Sequence, residues 1–137
     1  MSKKKLSVAA YKRKLWKVFG EYIRTRDTVA GWGECISCGK RVRYPNGRGD
    51  WHAGHYYART NYYPSMYFNE ENVNGQCRHC NTYLEGNKQG YAEGLKKKYG
   101  DDVLDRLKHQ VETQEEEEEI HYPSLIEYYI SIRLQLD

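Results

Sequence analysis

Residues 77–81 of the chain read Cys-Arg-His-Cys-Asn, and residues 35–39 read Cys-Ile-Ser-Cys-Gly. Each stretch separates two cysteines by two residues, a spacing that lets one tight turn present both thiolates to a single ion. Four thiolates complete the tetrahedral shell that structural zinc prefers, so we predict one zinc site from Cys35, Cys38, Cys77 and Cys80. The paired spacing favours zinc over the alternative interpretation, in which the cysteines are reactive or form disulfides.

This zinc is expected to have a structural role. Four thiolate ligands leave no open position for water, so the site should hold loops together and take no part in catalysis. The mean hydropathy of −0.98 predicts a thin apolar core, which metal-binding free energy would help to stabilise. His79 lies between two predicted ligands and could replace one of them, although a surface position is the favoured interpretation.

Length and charge limit the class of protein. The 137 residues suffice for one compact domain and are too few for two full cores. Residues 1–50 carry 13 Lys and Arg against 4 Asp and Glu, whereas residues 101–137 carry 3 against 11. A basic first part predicts a polyanionic partner, and a solvated helix face is the alternative. The candidate DNA-binding residues are Lys12, Arg13, Lys17, Arg24, Arg41, Arg43 and Arg48.

Periodicity and turn residues predict the elements. Apolar residues recur at helical spacing from Val8 to Thr28, which predicts an amphipathic first helix. A hairpin is predicted over residues 41–55, and residues 56–76, which show no period, are predicted to be an ordered loop. Further predictions are helices from near Arg78, over 90–99, after an N-cap at Asp101 and from about Pro123, with a linker at Glu115–Glu119.

The candidate catalytic residues lie between and just after the cysteine pairs. Residues 51–56 read Trp-His-Ala-Gly-His-Tyr, and Asn81 follows the last cysteine. Together with Cys-Ile-Ser-Cys-Gly at 35–39, these stretches resemble the NinG/Rap recombination proteins of lambdoid phages from about Tyr22 to Leu107. The motifs that carry the resemblance are Ala-Gly-His-Tyr at 53–56, Phe-Asn-Glu-Glu-Asn-Val at 68–73, Gln-Cys-x-x-Cys-Asn at 76–81 and Gly-Asn at 86–87. More distantly, the pattern is similar to phage endonuclease VII and other HNH nucleases.

The resemblance implies a fold and a division of the chain. The expected fold is α+β, with a small ββα-metal (His-Me finger) core, a four-cysteine zinc site and flanking N- and C-terminal helices. Within a single domain over residues 1–137, we expect a basic N-terminal helix within 1–30. The zinc-stapled core should cover 35–100, and a helical acidic tail should cover 101–137.

The resemblance also implies site roles. His55 matches the general base, and Asn81 matches a ligand of one catalytic divalent ion. His52 lies near the position of a second ligand, and Asn72 matches an Asn that fixes a loop without touching the metal. A neutral imidazole can accept a proton from attacking water, and a divalent ion neutralises charge on the scissile phosphate. A site with few protein ligands suits Mg²⁺ or Mn²⁺.

Each of these residues has a simpler alternative. His55 could be a buried, hydrogen-bonded histidine, and His52 could fill a strand position. Asn81 could cap a helix after the second cysteine pair, a use of Asn that is compatible with metal binding. Because His52 stands in place of a carboxylate ligand, Asp50 or Glu85 could contribute to the ion.

The function expected on these grounds is metal-dependent endonuclease cleavage of DNA, with the resemblance implying branched intermediates such as Holliday junctions. The alternatives are a less selective HNH nicking enzyme on duplex DNA and a non-catalytic, zinc-dependent DNA-binding module. Junction cleavage usually requires two active sites, so a homodimer is one expected state. We find neither a secretory leader nor a run of about 18 apolar residues, so we expect a cytoplasmic protein of a bacterial host without a membrane partner.

Overall fold

The computed structural model describes residues 6–58, 64–114 and 120–136, so the linker predicted at Glu115–Glu119 lies outside the described residues. The mixture of helices and strands confirms the predicted α and β content. The helices are α1 (Val8–Arg26), α2 (Pro64–Tyr67), α3 (Lys88–Tyr99), α4 (Val103–Thr113) and α5 (Tyr122–Leu134). The strands are β1 (Thr28–Val29), β2 (Trp32–Glu34), β3 (Arg41–Arg43), β4 (Trp51–His55) and β5 (Val73–Cys77). A π-helical segment, His79–Tyr83, follows β5.

Helix α1 forms where the apolar period predicts it. Ser7 caps its first turn, because the Ser7 hydroxyl accepts a hydrogen bond from the Ala10 amide at 3.1 Å. The helix ends at Arg26, two residues before the predicted end, because Thr28 already pairs in β1. Its buried face packs against α5, β4 and β5. Together these elements form the first core, which contains Leu15, Phe19, Ile23, Ala53, Phe68, Val73, Ile126 and Tyr129.

The strands form two antiparallel sheets, and the hairpin predicted over residues 41–55 is wrong. β3 pairs with β2 in the order β1-β2-β3, whereas β4 pairs with β5, from Trp51 opposite Cys77 to His55 opposite Val73. The physical reason is burial. β3 alternates between exposed and buried residues, but β4 is largely covered on both faces and requires a fully buried partner strand.

The prediction of a loop over residues 56–76 is also wrong at two places, α2 and β5. Every residue of β5 is buried, including Asn74 and Gln76, which have no exposed surface. Periodicity missed this strand because its buried positions hold amide side chains and a glycine. These amides are accommodated by hydrogen bonds to other elements, as when Asn74 Nδ2 donates to the Tyr91 hydroxyl at 3.2 Å.

Helices α3 and α4 form a second core, which contains Met66, Tyr91, Leu95, Val103 and Leu107. α3 begins at Lys88, after an N-cap at Asn87, close to the predicted start. The predicted cap at Asp101 is wrong. α4 begins at Val103 with Asp102 at the N-cap position, and the Asp102 side chain makes no capping hydrogen bond.

Helix α5 begins at Tyr122, close to the predicted start at Pro123. Ile126 and Tyr129 cover the first core, whereas Tyr128, Ile130 and Leu134 are exposed. The homodimer stays a prediction, for which these exposed side chains are candidate contacts. Within residues 6–58, 64–114 and 120–136, no helix combines the length and apolar character needed to cross a membrane.

Candidate functional site

The structure brings together the four cysteines that the sequence singled out. Cys35 follows β2 and Cys77 ends β5, so the cluster joins the two sheets. The four Sγ atoms lie within 4.8 Å of one another, and those of Cys38 and Cys77 are 3.7 Å apart. A tetrahedral zinc with Zn–S bonds of about 2.3 Å requires S–S distances of about 3.8 Å, whereas a disulfide requires about 2.0 Å. The cysteines can therefore hold a metal ion such as zinc.

Local backbone geometry presents these thiols. Gly39 has a φ of 78° and donates its amide to the Cys35 carbonyl at 2.9 Å, which closes the first turn. In the second turn, the Cys80 amide lies 3.4 Å from Cys77 Sγ. His79 is exposed, with its ring 5.9 Å from that of Tyr83, and it does not belong to the cluster.

The electrostatic environment of the thiols is uneven. Burial raises the pKa of the Cys35, Cys77 and Cys80 thiols. Burial acts in the same direction at Cys38, but hydrogen bonds from the Lys40 backbone and neighbouring thiols outweigh it and lower the pKa of Cys38. A bound cation favours the deprotonated form of every thiol in the cluster.

Gly90 and Gly94 lie where α3 packs against the first cysteine turn. A Cβ at Gly90 would overlap the Ser37 carbonyl oxygen, and one at Gly94 would overlap the Ile36 carbonyl oxygen. These glycines therefore allow the helix backbone to approach the turn. The available signal in the sequence is their four-residue spacing, which places both on one helix face.

A cleft of about 570 Å³ is lined by His52, His55 and Asn81, the three residues that the sequence predicted for the catalytic site. The cleft is lined by residues from α1, from β4 and the loop after it, from the segment after β5 and from the start of α3: Trp16, Arg24, His52, Ala53, His55, Ala58, Asn81, Glu85, Gly86 and Lys88. His52 and His55 are separated from Asn81 by more than 25 residues of sequence, and the pairing of β4 with β5 brings them together.

His55 is held by hydrogen bonding and by ring stacking. Its Nε2 lies 2.9 Å from the Tyr67 carbonyl oxygen. Because a carbonyl only accepts, Nε2 carries the proton, and Nδ1 is the basic nitrogen of the neutral ring. The imidazole stacks on the Trp16 ring with centroids 4.9 Å apart, so its orientation is fixed by α1.

His52 and Asn81 form a pair beside His55. His52 Nε2 lies 2.8 Å from the Gly49 carbonyl oxygen, and His52 Nδ1 lies 2.8 Å from Asn81 Nδ2. The carbonyl fixes the proton on Nε2, so Nδ1 accepts from the amide of Asn81. Asn81 occupies the π-helical segment, a backbone irregularity that is frequent at functional sites.

Asn72 is fully buried outside the cleft, and it ties two parts of one loop together. Its Oδ1 accepts from the Tyr57 amide at 2.8 Å, and its Nδ2 donates to the Met66 carbonyl at 2.8 Å. These contacts connect the end of β4 to α2. Asn72 thereby fixes the backbone that follows His55.

One charged residue of the cleft, Lys88, plays a part that the sequence did not indicate. Lys88 Nζ donates to the His55 carbonyl at 3.0 Å and to the Tyr56 carbonyl, and burial lowers the pKa of this ammonium group. Glu85 lines the cleft with a φ of 50°, whereas Asp50 lies outside it. No local pattern marks Lys88, because its contacts join α3 to the distant end of β4.

The predicted DNA-binding residues fall into three places. Lys12, Arg13 and Lys17 are exposed on α1, and Arg24 reaches the cleft, where Glu21 accepts its hydrogen bond at 3.0 Å. Arg41, Arg43 and Arg48 lie in a second cavity of about 550 Å³, which we name the basic groove. Its side chains are Trp32, Lys40, Arg41, Val42, Arg43, Asn46, Arg48, Asp50, Cys77, Arg78, His79 and Tyr83.

The basic groove combines positive charge with exposed aromatic surface. The guanidinium carbons of Arg41 and Arg43 lie 5.0 and 5.9 Å from the Trp32 ring centroid. Tyr83 is 65% exposed at one end of the π-helical segment. This segment places Asn81 at the cleft and Tyr83 at the groove, so one short element borders both cavities.

Comparison with known proteins identifies relatives in phages. Residues 2–133 match the family described as the Bacteriophage Lambda NinG protein. Protein ninG of Escherichia phage lambda is 35% identical over 86 residues, which are 63% of this chain and 38% of that protein. The corresponding proteins of Escherichia phage 933W and Salmonella phage P22 are 34% identical over the same coverage. No solved structure matches the chain. Although the matched region spans 38% of the length of these relatives, the family match covers nearly all of this chain, which therefore belongs to the NinG family.

Proposed function

We propose that the chain is a metal-dependent endonuclease that hydrolyses phosphodiester bonds in DNA, with branched recombination intermediates as its preferred substrates. The observation that carries this proposal is the cleft, in which His52, His55 and Asn81 meet. A pure binding module does not need a histidine held in a defined tautomer beside the His52–Asn81 pair. The strand pair β4–β5, followed directly by the segment with Asn81, supports the strand–strand–helix order of HNH nucleases.

In this proposal, His55 acts as the general base. The Tyr67 carbonyl holds the proton on Nε2, so Nδ1 can accept a proton from the water that attacks phosphorus. Stacking on Trp16 limits rotation of the ring and keeps the base in one orientation. Lys88 fixes the backbone carbonyl of the same residue.

The donor set of the cleft fits a hard divalent cation. Asn81 offers a carboxamide oxygen, and its Nδ2 is held by His52. The exposed carboxylate of Glu85 lines the same cleft. Such oxygen-rich sites suit Mg²⁺ or Mn²⁺. When bound, the ion would stabilise the charge that develops on the phosphate and on the leaving oxygen. The cysteine cluster would contribute a structural zinc, because four thiolates leave no open position.

DNA would reach the cleft over basic surfaces. The exposed cations of α1 and the basic groove provide phosphate contacts, and Trp32 and Tyr83 provide surfaces for base stacking. The preference for branched DNA rests on the resemblance to recombination proteins. A symmetric junction would require two copies of the chain, which the exposed side of α5 could join.

The test is cleavage of matched linear-duplex and four-way-junction DNA by wild type, His55→Ala and His109→Ala, with Mg²⁺, with Mn²⁺ and without added divalent ion. We expect metal-dependent cutting of the junction, with a loss of about 10²-fold or more in His55→Ala because the general base is removed. His109→Ala is the matched control, because His109 is exposed on α4 outside both cavities. DNA affinity, measured by fluorescence anisotropy, should be the same for all three proteins.

Other outcomes would support the alternatives. Equal cutting of both substrates would favour a general HNH nicking enzyme. If neither substrate were cut while both were bound tightly, the zinc-dependent binding module would be the better account. Full activity in His55→Ala would remove this histidine from the role of base.

A further inference from the structure

A buried side-chain oxygen next to the cleft-lining Asn81 and Gly86 has no hydrogen-bond donor among the described residues. Gln76 on β5 is fully buried, and its Nε2 donates to Ser37 Oγ at 2.8 Å and to the Gly86 carbonyl oxygen at 2.7 Å. Because the Gly86 carbonyl only accepts, the orientation of this amide is fixed. Its other atom, Oε1, has no hydrogen-bond partner among the residues that the structure describes.

A second chain of hydrogen bonds orients Asn81 in the same way. The Gly49 carbonyl accepts from His52 Nε2, which leaves His52 Nδ1 to accept from Asn81 Nδ2. Asn81 Oδ1 is therefore directed away from His52. The Gly86 carbonyl fixes the Gln76 amide directly, and the Gly49 carbonyl fixes the Asn81 amide through His52. Exchanging the oxygen and nitrogen positions of either amide would therefore lose a hydrogen bond.

The two carbonyl oxygens approach the same point beside Gly54. A Cβ at that position would overlap Gln76 Oε1 and would lie 3.0 Å from Asn81 Oδ1. Glycine at this strand position leaves the space that the Gln76 oxygen occupies. Two carbonyl dipoles directed at one region repel each other, and a buried acceptor without a donor is unfavourable. A cation that binds both oxygens removes both penalties.

We propose that Gln76 Oε1 and Asn81 Oδ1 are two fixed oxygen ligands of the divalent cation at this cleft, and that His52 is a positioning residue that holds the Asn81 amide. The assignment of these ligands does not depend on nuclease activity. Only the use of the bound ion in catalysis rests on the proposed function. Neutral carbonyl ligands suit hard cations such as Mg²⁺ and Mn²⁺. Gln76 lies directly opposite His52 in the β4–β5 pairing. The side chains of Gln76 and His52 therefore lie on the same face of the sheet.

The test is Mn²⁺ affinity, measured by the electron paramagnetic resonance signal of free Mn²⁺ with zinc-loaded, desalted protein. Gly54→Ala displaces Gln76 Oε1 without removing a polar group, and Gln76→Met removes the oxygen. We expect both to weaken Mn²⁺ binding about tenfold or more, as changes around metal ligands commonly do. Gly20→Ala is the matched control, because a Cβ there would meet the flexible end of Arg24 at 3.3 Å and would make an ordinary contact with Ala53 Cβ at 3.9 Å.

A gain-of-affinity variant keeps the test independent of any loss of folding. Gln76→Glu places a carboxylate at the same point, and we expect it to bind Mn²⁺ at least about tenfold more tightly and to be stabilised by Mn²⁺ in thermal melting. Unchanged Mn²⁺ affinity in Gly54→Ala, Gln76→Met and Gln76→Glu would overturn the assignment and would indicate a water between the two carbonyls. Failure of folded wild type to bind Mn²⁺ at millimolar concentration would overturn it as well.

The role of His52 has its own readout. Electron spin echo measurements detect nitrogen bonded directly to Mn²⁺, and we expect no such nitrogen in wild type. A strong nitrogen coupling that disappears in His52→Ala would overturn the positioning role. Tight Mn²⁺ binding without DNA cleavage would leave the ion site standing and would count against the proposed nuclease function alone.

Discussion

At the scale of the residue, the cysteines show how short-range spacing becomes a site. Two residues between partners place each pair on one turn, and Gly39 supplies the left-handed backbone that the first turn requires. His79 lies between two of the cysteines but is exposed and outside the cluster. Cys77 and Cys80 therefore differ from His79 because their side chains, unlike that of His79, lie on the side of the turn that faces Cys35 and Cys38.

Cys80→Ser and His79→Ser form a matched pair for testing this site. Cys80→Ser removes a thiolate ligand, and we expect loss of bound zinc and a fall of at least about 3 kcal/mol in the free energy of unfolding, or roughly 10 °C in Tm. His79→Ser should keep one zinc per chain and an unchanged Tm. Zinc content by mass spectrometry and thermal melting by circular dichroism measure both effects. Retention of zinc in Cys80→Ser together with its loss in His79→Ser would reverse the ligand assignment.

At the scale of the element, one carboxylate joins two helices and a strand. Asp27, just after α1, accepts from the Gly75 amide of β5 at 2.7 Å and from Lys98 of α3 at 2.8 Å. Arg26 also donates to it at 2.8 Å. Burial alone would raise the pKa of Asp27, but these hydrogen bonds and positive charges outweigh burial and lower it.

Asp27→Asn should therefore lower the free energy of unfolding by about 3 kcal/mol at pH 7, because the largely buried Arg26 and the partly exposed Lys98 lose the buried carboxylate that pairs with both. The pKa of this carboxyl is lower when folded than its ordinary value of 3.8. Its stabilisation is thus complete above pH 3.8 and is lost as pH falls through the folded pKa. Urea unfolding from pH 7 to pH 3 should show the difference between wild type and variant shrinking below about pH 4. A constant difference over that range would contradict this account.

At the scale of the whole molecule, the described residues gather several cations in the basic groove. The basic groove gathers cations from β3, the turn after it and the residue that follows β5, whereas the acidic residues of the sequence are concentrated after position 100. Arg41 and Arg43 project from the same face of β3 toward Trp32. The basic groove therefore offers phosphate contacts to the proposed DNA partner.

The double substitution Arg41→Ala and Arg43→Ala should weaken DNA binding to all sequences alike. Each lost phosphate contact should reduce the slope of log affinity against log salt by about 0.9 for duplex DNA, because fewer counterions are released. Lys108→Ala on α4, exposed in the acidic part of the chain, is the matched control. Fluorescence anisotropy titrations at salt concentrations from roughly 50 to 200 mM measure both slopes. Salt weakens phosphate contacts markedly over this range. Equal slopes for wild type and the double variant would exclude the groove from the DNA contact.

The sequence by itself determined the features that depend on neighbours within about one helical turn. These include the paired cysteine turns, the amphipathic α1, and the helix that begins near Pro123, whose signals are spacing, capping and period. The tertiary structure decided which strands pair, and it placed β5 with buried amides where a loop was expected. It also placed Lys88 in the cleft, and Gln76 and Gly54 next to the cleft residue Asn81. Their contacts join positions that are distant in sequence, and hydrogen bonding between such positions leaves no periodic mark for local patterns to detect.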